Sequence, residues 1–176
     1  MKRQLHIFPS FAMGGAQRRL VQLATAFTDE WCHTIVTLDG EEGAAGAFPA
    51  DVMVDVGAFP LAKGRGVSPR NIGKLRAVFK EVNPSLLCTY NWGSIEAVFA
   101  NALGPRVPHL HFEDGFGPDE AARLSKPRNL LRRVGLAGGA HLVVPSRGLA
   151  AIAKERWGVA PQRLHHIPNG IDTSLF

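Results

Sequence analysis

Short apolar runs alternate with longer amphipathic stretches along the chain, which is the pattern of a parallel β-sheet covered by helices. The apolar runs predict strands over residues 4–8, 32–38, 52–56, 85–89, 109–112, 141–144 and 164–167. The amphipathic stretches predict helices over residues 16–28, 69–82, 94–103, 119–134 and 147–157. Together these elements predict an α/β fold: a Rossmann-like, doubly wound, mainly parallel sheet of about seven strands with helices on both faces.

Periodicity and helix signals add local expectations. In the first helix, apolar spacing predicts a buried stripe made of Leu20, Leu23, Ala24 and Phe27. Pro127 is expected to interrupt the helix over 119–134. Ser146 is expected to cap the last helix, which Gly158 ends. A mobile loop is expected over 59–68.

Composition limits the classes of function. The 176 residues fit one α/β domain spanning 1–176, and 45% hydrophobic content is ordinary for a globular protein. Cys32 and Cys88 lie in predicted strands without the spacing of metal ligands, so we expect reduced thiols and no metal. No apolar run reaches the ~18–20 residues that cross a bilayer, so we expect a cytoplasmic location, at most peripheral to the inner face of the membrane. The net charge of +5 suits nucleic acid, an anionic membrane surface or phosphorylated small molecules.

The turn after the first strand is the segment most informative about ligands. Gly14 and Gly15 precede a helix, so the backbone can approach a ligand and offer free N–H groups to a phosphate or a sugar hydroxyl. Gln17, Arg18 and Arg19 follow in the first helical turn, where a bound anion would offset the unfavourable helix dipole. The alternative is a tight turn with solvated arginines. A dinucleotide site is disfavoured, because adjacent glycines do not match the G-x-G-x-x-G spacing.

A second cluster of polar residues follows the fourth and fifth strands. Asn91 comes after the fourth strand, and the fifth runs into His111, Glu113 and Asp114. Since ligands bind outside the carboxyl ends of such strands, these side chains are expected to converge on one cleft. His111 and Glu113 share a strand face at period two, and an imidazole beside a carboxylate can handle a proton or grip sugar hydroxyls. The alternative is a partly buried, satisfied histidine with carboxylates that cap the following helix.

Basic residues alternate with leucines in the predicted helix over 119–134. Arg128, Arg132 and Arg133 are expected on one amphipathic face, which would suit anionic lipid head groups or a pyrophosphate acceptor. A merely solvated face is the alternative. Single-stranded nucleic acid needs aromatic side chains for stacking, and one Tyr and three scattered Trp argue against that partner.

Three motifs in matching order resemble those of the group-one (family four) retaining glycosyltransferases. They are the turn Gly14-Gly15-Ala16-Gln17, the strand-to-helix junction 143–147 and the segment from Ile167-Pro168-Asn169-Gly170 to Phe176. The similarity spans essentially the whole chain. It implies the N-terminal half of a GT-B fold, in which two Rossmann-like domains enclose the reaction cleft. In that family the N-terminal domain mostly holds the acceptor. The C-terminal domain grips the nucleotide sugar and carries a pair of glutamates whose spacing does not occur in this chain.

The resemblance also implies an activity. It implies transfer of a hexosyl-type sugar, with retention of configuration, from a nucleotide-sugar donor to a glycan or lipid-linked acceptor, without a metal or other cofactor. It implies that residues 1–176 lack the donor-binding domain and are inactive alone. Gly14 and Gly15 match the turn near the donor phosphates, and Asp114 falls where the family often has a histidine that contacts the transferred sugar. The alternatives are a stand-alone nucleotide- or anion-binding module and a basic adaptor peripheral to the membrane.

Overall fold

Strands and helices alternate along the chain in the computed structural model, which describes residues 1–61, 67–117, 120 and 123–170. The strands are β1 (Lys2–Phe8), β2 (Trp31–Thr37), β3 (Val54–Ala58), β4 (Leu86–Tyr90), β5 (His109–Phe112), β6 (His141–Val144) and β7 (Leu164–His166). The helices are α1 (Gly15–Ala26), α2 (Pro69–Val82), α3 (Ile95–Ala102), α4 (Lys126–Ala137) and α5 (Arg147–Glu155). A short 3₁₀ turn, Trp92–Ser94, leads into α3.

The strands form one parallel sheet in the order β3-β2-β1-β4-β5-β6-β7. From β1 the chain first builds outward through β2 and β3, and then returns to place β4 on the other side of β1. This change of direction opens a crevice at the carboxyl ends of β1 and β4, which is where ligands bind in open α/β sheets. The predicted Rossmann-like, doubly wound architecture of seven strands is confirmed.

Apolar side chains bury both faces of the sheet. On one face, α2 and α3 pack against β1, β2 and β4 through a cluster that includes Leu5, Ile7, Leu75, Phe79 and Leu87. On the other face, α1 contributes Leu20 to a cluster with Phe8, Phe11, Ile35 and Tyr90. A third cluster joins α3, α4, β6 and α5. Burial of each large apolar side chain contributes about 1.5–3 kcal/mol, so these clusters hold the strand ends in fixed positions.

Several predicted helix ends are confirmed in detail. Pro69 stands in the first turn of α2, where its missing N–H costs no hydrogen bond. Asn83 ends α2 in the left-handed conformation with φ 46°, and its N–H donates to the Phe79 carbonyl. Ser146 caps α5, because its Oγ accepts from the Leu149 N–H at 3.2 Å. Gly158 has φ +68°, which favours glycine where the chain turns away.

The predicted buried stripe of α1 is half wrong. Leu20 and Ala24 are buried, whereas Leu23 and Phe27 are 46% and 49% exposed. The buried face is centred between Leu20 and Ala24, so that Leu23 falls at its rim. The helix ends at Ala26, and Phe27 leaves helical geometry with φ −123° and ψ 32°.

Boundaries of other elements also differ from the predictions. The third strand runs two residues later, over Val54–Ala58. Helix α4 begins at Lys126, not at 119, and Pro127 lies in its first turn, so it begins this helix instead of interrupting it. Parts of three predicted features lie outside the described residues: 118, 119, 121 and 122 of the predicted helix, 62–66 of the predicted loop, and 171–176 of the terminal motif. No helix in the described part of the chain is long and apolar enough to cross a bilayer.

Candidate active site

Two cavities lie side by side at the crevice between the carboxyl ends of β1 and β4. The first, of about 400 Å³, is lined by the turn after β1 and the start of α1, including Ser10, Gly15 and Gln17. The second, of about 590 Å³, is lined by Trp92 and Phe116 with charged residues of the β5–α4 region. Pro9, Asn91 and Asp114 line both cavities. We call them the turn cavity and the aromatic cavity; their common wall is the centre of the candidate site.

The common wall is held rigid by hydrogen bonds. The Asp114 N–H donates to Asn91 Oδ1 at 2.8 Å, which joins the ends of β4 and β5. The Asp114 carboxylate accepts two hydrogen bonds from the Arg19 guanidinium, at 2.6 and 2.9 Å. Arg19 Nη1 also donates to Asn169 Oδ1 at 2.8 Å, and the guanidinium lies over the Phe112 ring. Such a bidentate pair fixes both position and orientation, so the carboxylate stands in a defined place between the cavities.

Asn91 has a strained backbone at this wall. Its φ of 55° and ψ of 177° fall in a region that is almost restricted to glycine. The conformation is held by the Asn91 N–H, which donates to the Phe112 carbonyl at 2.7 Å, and by the bond from Asp114 to its side chain. Strain of about 1–3 kcal/mol persists only where surrounding contacts hold it, and such residues concentrate at functional sites.

The predicted glycine turn lies where a ligand can reach it. Gly14 is the N-cap of α1, and no side chain accepts a hydrogen bond from the first turn there. A Cβ built on Gly15 meets nothing within 4 Å, so this position opens into the turn cavity. Gln17 also lines the turn cavity, and its Nε2 donates to the Ser10 carbonyl at 2.9 Å. Arg18 is exposed on the adjoining surface of α1.

His111 and Glu113 lie behind the cavities. Both are buried, at 0% and 1% exposure, and neither lines either cavity. Of the three residues predicted as catalytic, only Asp114 lies where a substrate can touch it. The prediction that His111 and Glu113 share a face is correct, since His111 Nε2 lies 3.4 Å from Glu113 Oε2. The expectation that His111, Glu113 and Asp114 converge on the cleft is therefore wrong for His111 and Glu113, which are buried behind it.

A chain of buried hydrogen bonds runs along the inner face of β5. Thr89 Oγ1 lies 2.8 Å from His109 Nε2 and 2.7 Å from His111 Nδ1. The Glu113 carboxylate only accepts, so His111 donates to it from Nε2, while the Thr89 hydroxyl joins the two imidazoles. Burial first, and then the nearby His111, lower the pKa of His109 to about 3, so His109 stays neutral at physiological pH.

Arg132 is buried beneath the aromatic cavity, and its predicted exposure on a basic face is wrong. The guanidinium is 0% exposed and donates to both Glu113 and Glu120 at 3.2 to 3.4 Å. It also lies 5.1–5.3 Å from the ring centroids of Trp92, Phe116 and Trp157. Two carboxylates and three aromatic faces therefore replace the water around the charge, which makes burial possible.

The other two residues of the predicted basic face point in different directions. Arg128 is 31% exposed, lines the aromatic cavity, donates to Glu120 at 3.2 Å and lies over the Trp92 ring. Burial raises the pKa of Glu120, but hydrogen bonds from the Ser125 N–H, Arg132 and Arg128 outweigh burial, and the pKa is lower than usual. Arg133 is exposed on the opposite, outward side of α4.

Several site residues were missed by sequence reasoning. Arg19 was expected to need an anion, and the anion that the structure supplies is the chain's own Asp114. Trp92 follows Asn91 directly at the strand end, but no role was predicted for it. Asn169 lies in the terminal motif that carries the family resemblance, but no site role was predicted for it either. Glu120 has no local signal that marks it. Among the described residues, no group of three or more His, Cys, Asp or Glu side chains is arranged to hold a metal ion.

Similarity to solved structures supports the fold. The chain is similar to HepE of Anabaena in a crystal structure with UDP, with 17% identity and a TM-score of 0.65 over 99% of this chain and 46% of that one. Sucrose-phosphate synthase from Thermosynechococcus elongatus is 17% identical with a TM-score of 0.65, over 99% of this chain and 50% of that one. UDP-N-acetylglucosamine 2-epimerase from Rickettsia bellii is 15% identical with a TM-score of 0.62, over 96% of this chain and 45% of that one. This chain thus spans about half the length of each, and the likeness, which includes epimerases, establishes the shared Rossmann-like fold of GT-B proteins.

Sequence comparison identifies the family. No curated protein sequence gives a significant match. The family model described as Glycosyltransferase Family 4 matches residues 13–175, which is nearly the whole chain and includes the glycine turn, Asn91 and Asp114. The chain therefore belongs to glycosyltransferase family 4.

Proposed function

We propose that this chain is the acceptor-side domain of a retaining glycosyltransferase that transfers a sugar from a nucleotide-sugar donor to a glycan or lipid-linked acceptor. The observation that carries the proposal is the pair of cavities that meet at Asn91 and Asp114. One cavity is bounded by a helix N-terminus and the other by aromatic and charged side chains. Transfer between two bound substrates requires two adjoining sites that hold the reacting atoms together. The family membership and the UDP-glucose complex of HepE support a nucleotide sugar as the donor.

In this proposal the turn cavity receives the phosphate end of the donor. The first-turn N–H groups that follow Gly14 have no side-chain cap and can donate to an anion, and the helix dipole favours negative charge there. Gln17 holds the turn in shape through the Ser10 carbonyl, and Arg18 adds a cation at the rim. The main grip on the nucleotide would come from a second domain, so we expect the isolated chain to bind donors weakly and to transfer no sugar.

Asp114 is the residue that would orient the acceptor. Each of its carboxylate oxygens accepts one hydrogen bond from Arg19 and retains a lone pair for a sugar hydroxyl. During transfer, the acceptor oxygen bonds to the anomeric carbon as the bond from that carbon to the phosphate oxygen breaks, and the departing phosphate takes up the hydroxyl proton. Asp114 contributes by positioning and needs to form no covalent bond.

Calorimetric titration of the chain with UDP, GDP and their sugar conjugates tests the turn cavity. Gly15→Val places a side chain in open space, so it should leave the fold intact and abolish weak binding. Gly148→Val is the matched control, because Gly148 is also an exposed glycine in a first helical turn with nothing within 4 Å. Tight binding by the isolated chain would instead identify a stand-alone nucleotide-binding module. Equal binding by both variants would refute the assignment of the turn.

A transfer assay tests Asp114 in the protein that joins this domain to its donor-binding partner domain. We expect Asp114→Asn to lower kcat/KM by about a hundredfold, the scale of losing correct placement of a reacting group. Asp55→Asn is the control, because Asp55 is an exposed carboxylate on β3, away from both cavities. Unchanged kinetics for Asp114→Asn would show that the acceptor binds elsewhere, even if the donor results stand.

A further inference from the structure

The outward side of α4 forms a basic groove that the candidate active site does not use. The groove has a volume of about 480 Å³ and lies between the start of α4 and the end of α5. Four cations line it: Arg123, Lys126, Arg133 and Arg156. No carboxylate and no aromatic ring is present among the described residues that line it. This surface differs from the predicted one, because Arg128 and Arg132 face inward and Arg156, which follows α5, belongs to the groove.

Apolar side chains stand exposed within the same surface. Leu130 is 62% exposed and Val134 is 54% exposed. They lie four residues apart on α4, as do Lys126 and Leu130, so that all three form one stripe along the helix. Leu130 and Val134 therefore leave apolar surface uncovered beside the cations of the groove. This combination of positive charge and exposed apolar surface is typical of helices that lie at a bilayer surface.

We propose that the basic groove and the apolar stripe of α4 dock on an anionic lipid bilayer. Charge complementarity favours this occupant: lipid phosphates match the four cations, and Leu130 and Val134 enter the region between head groups. Nucleic acid is disfavoured because the groove offers no aromatic ring for stacking. Docking would hold the inward side of α4, with Arg128 and the aromatic cavity, close to the membrane. This surface is separate from the candidate active site, so membrane binding can be tested independently of sugar transfer.

Vesicle flotation with the chain tests the docking surface directly. We expect binding to vesicles of equal parts phosphatidylcholine and phosphatidylglycerol at low salt, and no binding to phosphatidylcholine alone. Binding should be lost near about 1 M salt, where the Debye length falls to about 3 Å. Each cation near an anionic surface contributes about fivefold to partitioning, so Lys126→Gln with Arg133→Gln should weaken binding about thirtyfold. Leu130→Ser should weaken it further at unchanged charge.

A control variant separates this surface from general positive charge. Arg70 and Lys74 are exposed cations on α2, so Arg70→Gln with Lys74→Gln changes the net charge by the same amount. Equal losses in both double variants would overturn the proposal, because no specific face would then be involved. Absence of binding to the anionic vesicles at low salt would also overturn it. Saturable binding of inorganic phosphate, with full displacement of vesicles by it, would assign the groove to a soluble anion and reject membrane docking. Unchanged thermal midpoints of these exposed variants would show that folding is intact.

Discussion

Replacing Arg132 with methionine removes the cation that lies between Glu113 and Glu120. Both carboxylates are 1% exposed at their side chains, so in the folded protein little water compensates their charge. Removal of one partner from a buried ion pair costs about 3–5 kcal/mol, because the charge left behind is uncompensated. Methionine is flexible enough to fill part of the space among Trp92, Phe116 and Trp157, so the cost should arise mainly from charge.

Urea unfolding followed by tryptophan fluorescence measures this cost. Trp92 and Trp157 contact the Arg132 guanidinium, so their emission should report the network as well as global unfolding. For a loss of about 4 kcal/mol and a slope of about 2 kcal/mol per molar, the midpoint should fall by about 2 M urea. That is a large share of the ~5–15 kcal/mol that holds a domain folded.

Neutralising Glu113 provides the decisive comparison. Glu120 keeps its ion pair with Arg128 when Arg132 is removed, whereas Glu113 loses its arginine. Adding Glu113→Gln to Arg132→Met removes the unpaired charge, and we expect most of the lost stability to return. Arg132→Lys should fall between, because an ammonium keeps the charge but cannot reach both carboxylates with a planar fork. Arg132→Met costing less than about 1 kcal/mol, or a double variant no more stable than the single one, would refute this account.

Three further predictions follow from the buried groups. Burial, aided by His33, lowers the pKa of His6 to about 3, and burial, aided by His111, does the same for His109. Below about pH 6.5 the unfolded chain takes up protons on these residues, whereas the folded chain does not. The free energy of unfolding should therefore decrease as the pH is lowered from about 6.5 to about 3, by about 1.4 kcal/mol per pH unit for each histidine. Urea titrations across this range check the slope, and His109→Asn should reduce it; a flat profile would contradict both assignments. Burial raises the pKa of the Cys88 thiol to about 12, so an aromatic disulfide reagent should modify the half-buried Cys32 in the folded protein and reach Cys88 only on unfolding. Asn91→Gly should be more stable than Asn91→Ala by about 1 kcal/mol or more, since both lose the bond from Asp114 but only glycine relieves the positive φ; equal stabilities would show that the backbone there is unstrained.

The sequence predicted the sheet well because strand burial leaves a direct pattern. Apolar runs located all seven strands, and proline, asparagine, glycine and serine marked the ends of α2 and α5. The doubly wound order then placed Asn91 and Asp114 at one edge before any contact was known, because parallel strands end on the same side. Burial was predicted wrongly where tertiary packing and not periodicity decides exposure, as at Leu23 and Phe27.

The site was predicted less well because side-chain partners are long-range. His111, Glu113 and Asp114 are neighbours in the sequence, but strand alternation turns the first two inward and leaves Asp114 at the cavity wall. Each carboxylate is held by an arginine that is distant in the sequence. Glu113 pairs with Arg132, nineteen residues away, and Asp114 pairs with Arg19, ninety-five residues away. No local pattern specifies either pairing.

Helix α4 shows how one basic run serves two environments. Arg132 and Arg133 are adjacent in the sequence, but successive residues on a helix point about 100° apart. Arg132 therefore enters the core beneath the aromatic cavity, while Arg133 lines the outward groove. The inward arginine is neutralised by buried carboxylates, so it cannot contribute to membrane attraction, and the outward cations have no such partner among the groove residues. Substitutions at these two neighbours should therefore have opposite effects. A change at Arg132 should lower folding stability with little effect on vesicle binding per folded molecule. A change at Arg133 should weaken vesicle binding about fivefold and leave stability unchanged.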